Sequence, residues 1–167
     1  MYDKITQKDI EKMKEEIEYR KLVVRKKALE DVQEARAHGD LSENFEYKAA
    51  KQFKNQNESR IRYLERMIRT ANIISDESSD DEVGLNKLVT VYIPEDDEEV
   101  TYKIVTTVRS NTLKKRISID SPLGKSLLHH KVNDVVNVKI SDSYSYDVII
   151  RKIEKIEDDD TDELTKF

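Results

Sequence analysis

Two carboxylates, Asp40 and Glu43, are the residues whose type and spacing in this sequence best suit chemistry. We expect both in the first turn of a helix that follows Gly39, because residues three apart on a helix can face the same way. Hard oxygen donors without cysteine match the preference of Mg²⁺, which binds one or two carboxylates and retains several waters. The pair therefore predicts a loosely held Mg²⁺ rather than a complete metal centre.

The same residues also have a purely structural explanation. Gly39 can end one helix in a left-handed conformation, and Asp40 or Ser42 can cap the next helix, whose dipole favours nearby acids. Ser42 is also a candidate for orienting a water molecule between the two acids. His38 is by residue type a proton shuttle, and as a turn residue it needs no chemical role.

The acids lie between two long helical patterns. Residues 8–73 contain no proline and a single glycine, Gly39. Residues recur at heptad-like steps on the first side, with a polar gap around Arg20, and at steps of three and four on the second, which is typical of helices packed along a partner. They are Ile10, Met13, Ile17, Val24, Ala28, Val32 and Ala35 on the first side, and Ala50, Phe53, Ile61, Leu64, Ile68 and Ala71 on the second, with Asn57 as a polar, register-setting member. Residues 1–74 therefore predict an antiparallel coiled-coil hairpin with arms of about 45 Å.

Composition agrees with a long, solvated element and excludes several classes of protein. Of 167 residues, 37% are apolar and 39% charged, against roughly 45–50% and about 25% in globular proteins. The absence of cysteine excludes disulfides, zinc ribbons and thiol chemistry. No apolar run approaches the roughly 18 residues of a membrane helix, and the N-terminus lacks a signal-peptide core. We expect a cytoplasmic protein with no membrane partner.

Charge is distributed unevenly along the chain. Residues 1–74 have a net charge of +3, whereas residues 75–167 have a net charge of −8. The second helical pattern carries a basic strip, which consists of Lys48, Lys51, Lys54, Arg60, Arg62, Arg66 and Arg69. This strip is either a solvated helix face or a surface that meets nucleic acid or an acidic groove.

The rest of the chain has a different pattern. Residues 75–84 are acidic and polar and predict a linker. Residues 85–156 contain β-branched and aromatic runs separated by turn residues, with one short helix over 123–130, and predict a small β-rich domain. Residues 157–167 form an acidic tail that we expect to be frayed. The predicted fold class is therefore α+β.

Two motifs link the sequence to a known family. The segment EARAHGDLSENFEYKAAK, followed by RIRYLE and ANII, resembles the GreA/GreB family of bacterial transcript cleavage factors, whose pattern there is close to AREHGDLxENxEYxAAK. The later segment SPLGKSLL is similar to the family's SPLGKALL. The resemblance covers about residues 5–153, and the acidic composition and SPLG wording favour a GreA-like over a GreB-like member.

The resemblance implies a function for both parts of the chain. In this family the coiled coil enters the secondary channel of RNA polymerase, and an FKBP-like β-rich domain sits at the channel rim. Asp40 and Glu43 would help hold a second Mg²⁺ in the polymerase active site, shared with the polymerase and not bound stably by the factor alone. The polymerase would then cleave backtracked RNA, so the factor itself is not an enzyme.

The resemblance also suggests binding residues and leaves alternatives open. Arg36, Lys48, Lys51 and Lys54 are the candidates nearest the tip for contacting the nascent RNA 3′ end, or equally the polymerase. DNA within the elongation complex is a further candidate partner. A regulator that enters the same channel and inhibits the polymerase without stimulating cleavage is the alternative function, and the oligomeric state stays open.

Three departures from the family pattern concern regions away from the acidic pair, and one of them is the glycine missing from the last hairpin at residues 141–144. The usual Arg-Pro pair of the first arm is absent from the stretch 19–25. The glycines of the family's LxGKxxGD segment are replaced within residues 128–134. With only three glycines in the chain, turns that need a positive φ must be built from other residues.

Overall fold

The computed structural model describes residues 3–40, 43–156 and 162–166 and divides the chain into two units. One unit contains Ile10–Ala71, and the other contains Lys4–Asp9 and the described residues from Asn72 onward. The first is helical and the second is mainly β-sheet, so the predicted α+β fold class is confirmed.

The helical unit is an antiparallel hairpin. Its first arm consists of α1 (Gln7–Tyr19), a π-helical turn (Arg20–Val24) and α2 (Arg25–Arg36), and its second arm is α3 (Phe45–Arg69). The buried apolar side chains of α2 are at the predicted positions Ala28, Val32 and Ala35. The π-helical turn occupies the stretch where the family's Arg-Pro pair is absent.

The second arm differs from its predicted seam at two apolar positions. Met67 is buried, whereas the predicted seam residue Phe53 is 49% exposed. A hairpin of only two helices flanks a side chain on few sides, and a large aromatic ring at its middle therefore stays partly in solvent. Aliphatic residues such as Ile61 and Leu64 are buried as predicted.

A buried polar network joins the two arms. Arg60, which the sequence placed in the basic strip, is only 6% exposed, and its Nε donates to Glu16 Oε2 at 2.8 Å. Arg20 Nε donates to the same oxygen at 2.9 Å. Asn57 is 3% exposed; it accepts from Arg20 Nη1 at 3.0 Å and donates to the Arg20 carbonyl at 3.3 Å. These bonds specify which residues of the two arms lie opposite each other.

The charge of Glu16 is essential to this network. Burial raises the pKa of Glu16, but the hydrogen bonds and charges of Arg60 and Arg20 outweigh that effect, and the pKa lies below the usual value. Two further ion pairs cross between the arms. Arg25 donates to both carboxylate oxygens of Glu58 at 2.7 and 2.9 Å, and Lys21 Nζ lies 2.7 Å from Glu65 Oε1.

The β-rich unit has a twisted sheet and a short parallel pair. The pair joins β1 (Lys4–Ile5) to β2 (Asn72–Ile73). Within the described residues the sheet has the order β5-β4-β3-β7-β6, and only β4 and β5 run parallel. Its strands are β3 (Lys87–Ile93), β4 (Glu98–Val105), β5 (Arg116–Ser118), β6 (Val135–Lys139) and β7 (Ser145–Lys155). Alternate residues of β3, among them Val89 and Val91, are fully buried in the core.

The SPLG segment forms a tightly placed helix, α4 (Pro122–Leu127). Ser121 caps it by accepting from the Gly124 N–H at 3.1 Å, and Pro122 occupies its first turn, where no N–H is required. A Cβ at position 124 would lie 2.0 Å from the Ser118 carbonyl oxygen. Only glycine fits there, which explains the residue in physical terms.

The shortage of glycine is met by other residues in the left-handed region. His129 has φ 68° and Asn133 has φ 75°, and both stand in the segment where the family pattern has its glycines. Helix α4 therefore ends at Leu127 rather than at the predicted residue 130. Asn86, Asp97 and Lys115 also have positive φ.

Both acidic segments contact the β-rich unit. In the segment 75–84, Val83 is fully buried and its N–H donates to the His130 carbonyl at 2.9 Å. In the tail, the described residues 162–166 are held by ion pairs, and Leu164 is 7% exposed. The expectation of a frayed tail does not hold for these residues, because a basic groove binds them. Residues 157–161 and 167 lie outside the described residues.

The network predicts a pH dependence for the hairpin. Glu16→Gln should lower the free energy of unfolding by about 1–3 kcal/mol at pH 7, because hydrogen bonds between charged groups are lost. Since the folded-state pKa of Glu16 is depressed, its contribution is complete above pH ~4.5 and disappears as the pH falls through the folded-state value. The measurement is helical circular dichroism during denaturant unfolding from pH 7 to pH 3.

The control is Glu18→Gln, which removes a charge from an exposed residue of the same helix. Its effect should be small at every pH. An energy difference between wild type and Glu16→Gln that stays constant down to pH 3 would contradict the assigned role of Glu16.

Candidate functional site

The hairpin tip is built by one asparagine. Asn44 precedes α3, and its Oδ1 accepts from the Tyr47 N–H at 3.0 Å, so that it caps this helix. Its Nδ2 donates to the Ala35 carbonyl in the last turn of α2 at 2.7 Å. One side chain therefore holds the start of one arm against the end of the other. Gly39, between them, has φ +119°, a conformation that favours glycine.

The position of this cap corrects two predictions about the acids. Helix α3 begins at Phe45, so Asp40 and Glu43 precede the helix and do not lie in its first turn. Asn44, rather than Asp40 or Ser42, caps the helix, because its amide can satisfy both arms at once. Ser42 lies outside the described residues, and its role stays a prediction.

The two acids nevertheless share a surface. Asp40 and Glu43 line one open depression at the tip, together with His38, Asn44, Phe45 and Glu46. Both acids are exposed, so their carboxylates can reach an external ligand without unfolding the tip. The structure thus places the two predicted residues on one surface.

A second pair of groups in the depression is already engaged. His38 Nδ1 lies 2.8 Å from Glu46 Oε2, and both side chains are exposed. The contact links the turn to the first turn of α3. His38 thus has a structural partner at the tip, in agreement with a turn residue.

The structure also gathers most of the predicted basic residues near the tip. The Arg36 guanidinium lies over the Tyr47 ring, 5.6 Å from its centroid, and their hydrogen bond lowers the pKa of Tyr47. Burial opposes this shift, and the charges of Lys51 and Lys54 add to it. Lys48 Nζ lies 5.6 Å from the centroid of the Phe45 ring, which is 79% exposed. Phe45 lines the same depression as the acids, and a cation lies beside its ring.

Fewer residues of the basic strip are exposed than the sequence suggested. Arg60 belongs to the buried network with Glu16 and is not available to a ligand. Arg62 is exposed and donates to Ser59 Oγ at 3.1 Å, while the Arg66 guanidinium lies 5.7 Å from the Tyr63 ring centroid. Of the predicted binding cations, Arg36, Lys48 and Lys51 are exposed, and Lys54 is half-buried.

The donor set at the tip could contribute two carboxylates to a metal ion. Among the side chains that the structure describes, no group of three or more His, Cys, Asp or Glu residues could hold a metal ion. Asp40 and Glu43 offer two hard carboxylates on an open surface, which fits Mg²⁺ that takes its remaining ligands from water or from another molecule.

Sequence reasoning did not assign a role to Asn44, Phe45 or Tyr47. Asn44 could have been found, because asparagine is among the strongest N-cap residues and stands three residues before Tyr47. The contacts of Phe45 and Tyr47 with cations had no such signal, because they depend on how the two arms face each other.

Comparisons with known proteins agree over nearly the whole chain. The family model "Transcription elongation factor, N-terminal" matches residues 4–73, and "Transcription elongation factor, GreA/GreB, C-term" matches residues 77–155. Transcription elongation factor GreA of Rickettsia bellii (strain OSU 85-389) is 41% identical over 154 residues, which is 91% of this chain and 96% of the relative. GreA of Bacillus subtilis (strain 168) is 45% identical over 130 residues, 77% of this chain and 82% of the relative.

A solved structure is also similar to this chain, and the described helices were compared with the requirements of a membrane span. The GreA factor homolog 1 (Gfh1) protein of Thermus thermophilus is 27% identical, with coverage of 92% of this chain and 99% of that chain and a TM-score of 0.42. Within residues 3–40, 43–156 and 162–166, no helix has the length and apolar character needed to cross a membrane.

From the capping contacts of Asn44 we predict that the stability of the tip depends on this residue. Asn44→Ala should destabilise the tip by about 1–2 kcal/mol, because it removes a helix cap and leaves the Ala35 carbonyl without its side-chain donor. Hydrogen exchange of the Tyr47 amide, measured by NMR, should accelerate accordingly.

Two variants separate the contributions. Asn44→Asp keeps an oxygen acceptor for the Tyr47 amide but loses the donor to Ala35, and should fall between wild type and Asn44→Ala. Asn55→Ala, at an exposed position of the same helix, should leave Tyr47 exchange unchanged. Equal exchange in wild type and Asn44→Ala would show that the tip is held by other contacts.

Proposed function

The chain belongs to the GreA/GreB family of transcription elongation factors, and we propose that it stimulates cleavage of backtracked RNA by bacterial RNA polymerase. In this proposal the helical hairpin enters the secondary channel of the polymerase. The observation that carries the proposal is the placement of Asp40 and Glu43 in one open depression at the end of the hairpin. A thin rod with acids at its end can deliver them to a recessed active site.

The chain supplies position and charge rather than a complete active site. Asp40 and Glu43 are the residues that would hold Mg²⁺, in an arrangement shared with the polymerase. The metal, when bound, supplies activation of water or stabilisation of the leaving oxygen in phosphodiester hydrolysis. The factor is then not an enzyme, and its effect on rate comes from orienting carboxylates next to the polymerase's own catalytic groups.

The cap and its neighbours keep the carboxylates in place. Asn44 joins the two arms at the tip, and His38 and Glu46, which contact each other, line the same depression as the acids. Because side chains on a loosely held turn would lose orientation, these contacts support the delivery of the acids as a pair.

The cations near the tip suit the emerging RNA. Arg36, Lys51 and Lys54 lie close enough to Tyr47 to lower its pKa, and Lys48 lies beside the exposed Phe45 ring. Positive charges attract the phosphate backbone, and exposed rings can stack on bases of single-stranded RNA. We therefore assign the backtracked RNA 3′ segment to this side of the tip.

Removal of either acid should abolish the stimulation. Asp40→Ala and Glu43→Ala should each reduce stimulated cleavage by about 100-fold or more, the loss typical of removing a group that stabilises transition-state charge. The measurement is the rate of appearance of shortened RNA in a halted, backtracked polymerase complex with Mg²⁺. Binding to the polymerase, measured by competition, should stay within about threefold, since each variant removes a single side chain at the tip.

The control is Glu34→Ala, which removes an exposed acid of α2 outside the depression and should cleave as wild type. Loss of polymerase binding in the Asp40→Ala variant would contradict the separation of docking from chemistry. Binding of the wild-type chain with slowed elongation and no cleavage would instead identify an inhibitory regulator.

The effect of removing the cations on cleavage should depend on the length of the extruded RNA segment. Combined replacement of Lys48, Lys51 and Lys54 by alanine should reduce cleavage several-fold more in complexes backtracked by many nucleotides than in those backtracked by one or two. The longer extruded segment has more phosphates to lose contact with. The assay compares both complexes at two salt concentrations.

The matched control replaces Lys14 and Lys26, exposed lysines of the first arm, and should affect both complexes equally and slightly. An equal, large loss on short and long segments in the triple variant would show that these lysines contact the polymerase instead of RNA.

A further inference from the structure

A groove on the β-rich unit is occupied by the chain's own C-terminal residues. The region matched by the family models ends at residue 155, whereas the residues that occupy the groove are Asp162–Lys166. We call this surface the tail groove; it is lined by Lys103, Val108, Arg109, Ser110, Leu113, Lys114 and Arg116. The surface therefore belongs to the family's domain, and its occupant lies beyond the matched region.

Asp162 and Glu163 bind the cations of the groove. The Asp162 carboxylate contacts Lys103 and accepts from Arg116 Nη1 at 3.2 Å, and its carbonyl accepts from Arg109 Nη1 at 3.3 Å. Glu163 Oε1 accepts from Lys114 Nζ at 2.9 Å and lies 3.0 Å from Arg116 Nη2. The pKa of Glu163 is lowered to about 2, first by the hydrogen bond from Lys114, then by a hydrogen bond from the Glu163 backbone and by the hydrogen bond from Arg116.

Leu164 and Thr165 add contacts that charge alone does not explain. Leu164 is 7% exposed, although it lies in an otherwise acidic segment. The Thr165 N–H donates to the Val108 carbonyl at 2.6 Å, and its hydroxyl donates to the Ser110 carbonyl at 3.1 Å. The groove thus recognises two acids, a buried leucine and a backbone donor in a fixed order.

The groove is held in place by contacts that do not involve the tail. Arg109 forms a buried ion pair with Asp9, whose carboxylate also accepts from Thr106 Oγ1 at 2.9 Å. Arg116 Nε donates to the Arg109 carbonyl at 3.3 Å, and Arg116 pairs with Asn111 through backbone hydrogen bonds at 3.0 Å. The arginines are therefore already positioned for an acidic ligand, and binding costs less when the site is preorganised.

We propose that the tail groove is a binding site for an acidic, leucine-containing segment of a partner protein, and that residues 162–166 are its intramolecular competitor. The tail has a high effective concentration because it is tethered to the same chain. A partner segment gains access only when it displaces the tail. The proposal does not depend on RNA cleavage or on the acids of the hairpin tip.

A protein segment suits the groove better than a nucleic acid. The Val108 carbonyl requires a donor at a defined distance from the carboxylates, which a peptide backbone provides. The side chain at the leucine position is removed from water, which favours an aliphatic group over a phosphate. Recognition by several arginines and lysines matches acidic-motif binding.

The test uses the full-length chain with the tail residues changed. In the variant Asp162→Ala/Glu163→Ala/Leu164→Ala the groove should be open, and a fluorescent synthetic peptide with the sequence of residues 157–167 should bind at least tenfold more tightly than to wild type, as measured by fluorescence anisotropy. Leu164→Ala alone should give an intermediate affinity. Thermal unfolding of each variant establishes that it is folded.

Matched controls locate the binding. Arg116→Ala, added to the triple variant, should reduce peptide affinity at least tenfold, whereas Lys125→Ala, at an exposed position of α4 in the same unit, should not. A peptide of the same composition in scrambled order should bind at least tenfold more weakly. An oligouridylate RNA is tested in parallel.

Three outcomes would overturn the proposal. Folded triple and single variants that fail to bind the peptide would show that the tail is a permanent part of the domain. Equal binding of the scrambled peptide would reduce the groove to an unspecific positive surface. Tighter binding of the RNA than of the peptide would assign the groove to nucleic acid.

Discussion

The register of the hairpin depends on a buried polar network that accompanies its apolar seam. Hydrogen bonds join Glu16 and Arg20 of the first arm to Asn57 and Arg60 of the second. Any slip between the arms would leave a buried arginine or carboxylate without its partner, which costs far more than a lost surface contact. Register, and with it the pairing of Ala35 with Asn44 at the tip, follows from these bonds.

The tip shows how a small polar contact can serve an exposed site. Asp40 and Glu43 are hydrophilic and solvent-facing, so nothing about their own burial holds them. Asn44, which follows Glu43 directly, ties the start of α3 to the end of α2. Phe45 lines the same depression as the acids, and Lys48 lies beside its ring. The carboxylates are therefore exposed, while the neighbouring Asn44 joins the two arms.

The β-rich unit uses charge in the opposite way. Its overall composition is acidic, yet it gathers Lys103, Arg109, Lys114 and Arg116 on one surface and covers them with its own tail. The left-handed residues His129 and Asn133 allow the turns to form without the glycines of the family pattern. Neither feature disturbs the core of β3, β7 and their neighbours, whose alternating apolar residues are those expected of a half-buried sheet.

Sequence alone determined the features that arise from local order. The steps of three and four, the absence of proline and the position of Gly39 define a helical hairpin, and alternation defines the strands, because these signals lie within one or two turns of chain. The tip motif and the SPLG segment were sufficient to identify the family. Only the tertiary structure decided the partners of distant residues. Arg60 and Glu16 are 44 positions apart, and Asp162 and Arg116 are 46, so an arginine that is buried cannot be distinguished in sequence from one that faces solvent. The sequence suggested Asp40 or Ser42 as the helix cap, whereas the structure has Asn44. The second partner of Asn44, Ala35, belongs to the other arm, so this contact could not be predicted from local sequence.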